Sequence, residues 1–201
     1  AITRVQELRV RAIGQALNAC DNVLWEISNE TNANSASWQY HMIDYIRQTE
    51  NDLDYHHPIG MSGARVQNES LMASAADWVA PCRGKQAHGW TPPDMRGQKT
   101  SIADTDHLGF AVHDPVWPWR CMLNGHHFCL MDPYMDARYG SPRSPMPEWD
   151  EIRSQTGLAR VTLGAMPLHE MHPDPAVIYG CEYCIVCPGK HYLALAETRE
   201  L

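Results

Sequence analysis

Val23-Leu24-Trp25-Glu26-Ile27 is a short, apolar, β-prone run, and Ser28-Asn29-Glu30 follows it directly. Helical patterns flank it on both sides. Val5, Leu8, Ala12, Ile13, Ala16 and Leu17 recur at helical spacing, so residues 2–18 are expected to form an amphipathic helix, which Cys20-Asp21-Asn22 breaks. Beyond the run, Asn32 to Ser35 offer N-cap residues, and Trp38, Met42, Tyr45, Ile46 and Leu53 mark a second helix. Helix, strand and helix again is the pattern of a parallel sheet covered on both faces.

The alternation continues along the chain. Residues 57–61 read as a second strand closed by Ser62-Gly63, and residues 77–80 as a third. Residues 100–103 read as a fourth, running into Asp104-Thr105-Asp106-His107, and residues 128–131 as a fifth, running into Asp132-Pro133-Tyr134. Pro118 confines a helix over residues 115–123 to a short one. Pro147 suits a first helical position, and Trp149, Ile152, Thr156, Ala159 and Leu163 define the last helix. Residues 179–196 look like two strands around Pro188-Gly189-Lys190, a turn signal. A barrel and an open doubly wound sheet share this alternation, and the pattern does not separate them. No Gly-rich phosphate fingerprint follows any strand, which weighs against nucleotide binding.

Composition narrows the class further. With 201 residues, 44% of them hydrophobic and 20% charged, the chain can build a core of ordinary globular kind. A net charge of −8 without a Lys/Arg run argues against a general nucleic-acid binder. No run of eighteen apolar residues is present, so no membrane span is expected. The start, Ala1-Ile2-Thr3-Arg4, is no signal peptide and lacks an initiator Met, so the sequence is read as beginning inside a longer protein. Seven Trp and eight Tyr against two Phe suit sugar rings as well as cores, because both side chains pair a flat apolar face with a polar edge. Seven Cys at irregular spacing argue against a full disulfide framework. On an extended strand Cys181, Cys184 and Cys187 would alternate faces, so they are read as small buried side chains rather than a metal site.

Among residues able to do chemistry, Ser28-Asn29-Glu30 is the most informative group. An acid just past a buried parallel strand sits where active sites assemble, although the same acid could simply favour the start of the next helix. Glycoside cleavage needs two carboxyl groups flanking the bond. Asp104 and Asp106 are candidates for the second, with Asp132 as a third, and one of the pair could instead form an Asx turn. His107 could orient a carboxylate or bind substrate. A different reading takes Asp104, Asp106, His107 and Asp132 as oxygen and imidazole ligands of a metal-dependent hydrolase.

Five blocks, in order, carry a resemblance: residues 21–30, Trp38-Gln39-Tyr40-His41-Met42-Ile43-Asp44, His57-Pro58-Ile59-Gly60-Met61, Asp104-Thr105-Asp106-His107-Leu108 and Leu130-Met131-Asp132-Pro133-Tyr134. The chain resembles bacterial cellulase-like proteins of the large retaining glycoside hydrolase clan with (β/α)8 barrels, over roughly residues 1–165. The resemblance implies an α/β chain forming part of a TIM barrel, about strands four to eight, in residues 1–168. Residues 169–201 would then hold a linker and the first strands of a small β-domain, often described as collagen-binding. It implies Asn29 and Glu30 after strand four, with Glu30 as acid/base, and Asp104 or Asp106 as partner after strand seven. Asn29, His107, Asp132, Tyr134 and Trp78 are taken as substrate-binding residues. Two departures from the family stand out: Asp where strand seven usually carries Glu, and Gly109-Phe110 where Trp-Gly is usual. Strands one to three would precede residue 1.

The expected function is that of a glycoside hydrolase-like fragment acting on an oligo- or polysaccharide, with no cofactor and no metal. The alternative is a non-catalytic carbohydrate-binding scaffold. A secreted or periplasmic location is suggested by the resemblance alone. A half-barrel would leave unpaired edges, so self-association of the chain is expected as well.

Overall fold

The computed structural model describes residues 2–63, 65–81, 99–104, 114–131 and 147–196. Contacts divide the chain into two compact units, Ala1–Cys82 and Arg83–Leu201.

In the first unit, α1 (Ile2–Leu17) leads to β1 (Trp25–Glu26), α2 (Ala36–Glu50), β2 (Ile59–Ser62), α3 (Asn68–Ala73) and β3 (Trp78–Ala80). The strands form a parallel ladder in the order β1-β2-β3, with Glu26 opposite Gly60 and Gly60 opposite Trp78. Residues 23–27 were expected as one strand, yet only Trp25 and Glu26 pair, because Leu24 is 58% exposed and belongs to the approach to the ladder. The ladder is bounded by Trp25 N–H donating to the Pro58 carbonyl (2.9 Å) and Ile27 N–H to that of Gly60 (3.2 Å). On α2, Met42, Ile43 and Ile46 recur on one face and are buried, as periodicity predicts; Leu53, expected on this helix, lies past its end. The α1 stripe departs from expectation. Val5 and Leu8 are 66% and 51% exposed, and the buried residue of the helix is Gly14, beside Trp25 and Thr49.

Strand parity sorts the side chains of this unit into two faces. Trp25, Ile59, Met61 and Val79 share the face that meets the helices, where Trp25 reaches Glu50 of α2. Glu26, Gly60, Ser62 and Trp78 share the other.

In the second unit, β4 (Thr100–Asp104) pairs in parallel with β5 (His126–Cys129), joined through α4 (Trp117–Leu123). The fifth strand thus starts two residues before the expected Phe128. His126 is buried because its Nδ1 lies 2.8 Å from the Ser101 hydroxyl, an arrangement that apolar patterning does not register. Ala103 packs with Trp117, Cys121 and Ile152, and Phe128 joins them from β5. A single turn of 3-10 helix at Pro147–Trp149 opens α5 (Asp150–Gly164).

The chain then forms a three-stranded antiparallel sheet in the order β6 (His172–Pro173), β7 (Cys184–Cys187) and β8 (His191–Ala194). The expected turn joins β7 to β8, with Gly189 at φ 77° as left-handed turn geometry requires. Ile185 and Tyr183 pack against Leu123 of α4 and Leu163 of α5 in one core. Cys184 and Cys187 are buried and unpaired, in line with their reading as small core side chains, while Cys181 is half-buried.

The architecture is therefore mixed α/β, with five short strands in parallel ladders and a small antiparallel sheet after them. Among the described residues no helix is long and apolar enough to cross a membrane.

Candidate active site

Glu30 lies beyond the C-terminal end of β1 and is exposed. Its φ of 50° puts it in the left-handed region, where, among the described residues, the other positive-φ positions are glycines. For a residue with a Cβ this conformation costs on the order of 1–2 kcal/mol, and such strain clusters at functional sites. The turn around it is fastened from below. The hydroxyls of Ser28 and Thr31 lie 3.1 Å apart, and Gln39, fully buried on the first turns of α2, donates to the hydroxyls of Thr31 and Ser35, each at 3.0 Å. Asn32 accepts from Asn34 N–H at 2.9 Å. Asn29, exposed beside Glu30, belongs to the same turn.

Glu26 was not singled out from the sequence. It is exposed, on the face of the ladder opposite Trp25, and its carboxylate accepts a hydrogen bond from the buried Ser62 hydroxyl of β2. The signal was available: residues 26, 28 and 30 share parity, so an acid at 26 faces the same way as one at 30 if the chain stays extended. Trp78, on the same face, is buried at 8% exposure. Its indole occupies the place a Gly60 side chain would take, since a Cβ there would lie 2.0 Å from the ring. It packs on the Gly60 backbone here, at the position from which it was expected to bind substrate.

At the opposite end of β1 and β2 a second acid is arranged quite differently. Glu50, the last residue of α2, is 2% exposed. Its carboxylate accepts from Trp25 Nε1 (2.8 Å), His57 backbone N–H (2.8 Å) and His57 Nδ1 (2.7 Å). His57 Nε2 lies 2.9 Å from the Cys20 carbonyl. A carboxylate and a carbonyl are both acceptors, so the doubly protonated ring is the form that satisfies both contacts and the one this setting favours. The Glu50 hydrogen bond holds the His57 pKa above its ordinary value, against burial and with help from the Cys20 carbonyl. For Glu50, burial pushes the pKa up, but the hydrogen bonds from His57 and Trp25 and the His57 charge outweigh it and leave it lowered.

In the second unit Asp104 is the final residue of β4. It alternates with Ala103, which faces the helices, so Asp104 is on the face away from them and is half-buried. Asp106, His107, Asp132 and Tyr134 lie outside the described residues. The thiols offer no competing nucleophile at Cys121 or Cys184: burial raises both pKa values, well above the ordinary value for Cys121, and keeps the thiolate scarce.

Comparison of the chain with protein-family models, with curated proteins and with solved structures finds no match. Geometry and chemistry therefore carry the functional reading.

Proposed function

We propose that this chain is a glycoside hydrolase-like protein on the (β/α)-barrel plan, cleaving O-glycosidic bonds with a pair of carboxyl groups. The supporting observation is Glu30: an exposed acid just past a parallel strand, on a left-handed backbone that a buried glutamine keeps in place. In this reading Glu30 protonates the leaving oxygen, while Asp104 or Asp106 attacks the anomeric carbon or activates water. Asn29, His107, Asp132 and Tyr134 would bind sugar hydroxyls. A carboxyl separation of about 5–5.5 Å would mean retention, and about 6.5–9.5 Å inversion.

The test is hydrolysis of a panel of aryl and oligosaccharide glycosides by the chain and by Glu30→Gln, Asp104→Asn and Asp106→Asn. Glu30→Gln should abolish turnover of substrates with poor leaving groups, because an amide keeps the shape but cannot give the proton. The two aspartate variants should lose activity unequally, the larger loss marking the partner. Undiminished turnover in Glu30→Gln would remove Glu30 from the mechanism. Saturable sugar binding without hydrolysis would assign the chain to the non-catalytic carbohydrate-binding class.

A further inference from the structure

The second unit holds a groove of about 510 Å3 at the start of β5 and the end of α5. Its volume lies within the range of about 300–1,000 Å3 typical of small-molecule sites. Met122, Leu163, Met171 and Ile185 supply an apolar floor, and Arg160, Lys99, His127 and His172 stand along it. Among the described residues no aspartate or glutamate lines it. In a chain of net charge −8 this is a local reversal of sign. Arg160, His127 and His172 are exposed, so their polar ends are available to a ligand lying on the apolar floor.

From these features we infer that the groove binds a small amphipathic organic anion, a carboxylate carried on an aliphatic body. The body removes the methionine, leucine and isoleucine surfaces from water, at about 25 cal/mol per Å2. The carboxylate is met by the planar donors of Arg160, which suit its two oxygens. Saccharides, rich in hydroxyls and poor in continuous apolar surface, do not fit this floor. The site is therefore independent of the glycosidase reading, and either can fail alone.

Gly164 provides a clean way to fill the groove. It lines the cavity, and a Cβ added there meets nothing within 4 Å. Titration calorimetry of the full chain with decanoate and with decanol separates the contribution of charge from that of chain length. Decanoate should bind at one site, at least tenfold more tightly than decanol. Arg160→Gln should abolish most of that advantage and leave decanol binding unchanged. Gly164→Phe should weaken both ligands at least tenfold, with its thermal unfolding midpoint no lower than that of the parent. The inference is overturned if neither ligand binds, if both bind equally, or if uptake is non-saturable. It is also overturned if Arg160→Gln keeps the preference, which would assign the charge to another cation of the groove such as Lys99, or if Gly164→Phe binds as the parent does.

Discussion

Glu50 and Glu30 are the same side chain in opposite settings at the two ends of one ladder. Glu50, where β1 and β2 begin, is buried and accepts three hydrogen bonds, two of them from His57. Glu30, where β1 finishes, is exposed and sits on a left-handed backbone. The first acid ties a helix end to two strand starts, so its removal should be felt in stability. The second makes no such tie among the described residues and is exposed. The lesson is that an acid's surroundings, more than its place in a motif, distinguish a structural carboxylate from a functional one.

The comparison breaks most visibly at the buried end. Glu50→Ala leaves the His57 imidazolium without its counter-charge and strands Trp25 Nε1, and should cost about 3–5 kcal/mol in urea unfolding. A loss below 1 kcal/mol would mean that the pair is not formed. Next is Gly60→Ala, which drives a Cβ into the Trp78 indole; overpacking of this kind costs about 1–3 kcal/mol, read as a lowered denaturation midpoint with an unchanged slope.

Third in size is the pH dependence. His57 has a raised pKa, so its contribution is whole below its unfolded value of about 6.5 and fades as pH climbs through the folded value. Glu50 has a lowered pKa, so its contribution is whole above its unfolded value of about 4.3 and fades as pH falls through the folded one. The pair therefore stabilises most between about pH 4.3 and 6.5 and less on either side. Unfolding free energies at pH 5.5 and 9 should differ more in the parent than in Glu50→Gln/His57→Gln, and equal differences would refute the assignment. The smallest effect belongs to the exposed end. Glu30→Gln should alter stability by less than about 0.5 kcal/mol, as surface changes do, whereas Glu30→Val, β-branched and intolerant of positive φ, should be measurably less stable than Glu30→Gln.

The α/β alternation was legible because α2 buries apolar residues at helical spacing, such as Met42, Ile43 and Ile46, while β2 and β3 are short runs buried at every position. The strand ends were less so. His126 and His127 open β5 without looking apolar, and only the Ser101 contact across the ladder explains why His126 is inside. Helix α3, Asn-Glu-Ser-Leu-Met-Ala, was missed because a single residue, Leu71, is buried on it. At the candidate site, the place of Glu30 after a strand was readable, but its left-handed backbone and the Gln39 hydrogen bonds were not. The Glu50–His57 pair was invisible for a different reason. A helix-ending acid and a histidine seven residues on become partners only when β2 folds back beside the end of α2.

The indole lying in the side-chain space of Gly60 also imposes an order on change. Shrinking Trp78 first leaves a hollow that the fold can carry as a simple loss of contact. Enlarging Gly60 first produces a collision. A lineage leaving this arrangement through position 78 carries a hollow, and one leaving through position 60 carries an overpacked core, so the order of change decides which defect is borne. Once position 60 has gained a side chain, a return to tryptophan meets the same overpacking, so the two positions constrain each other's history.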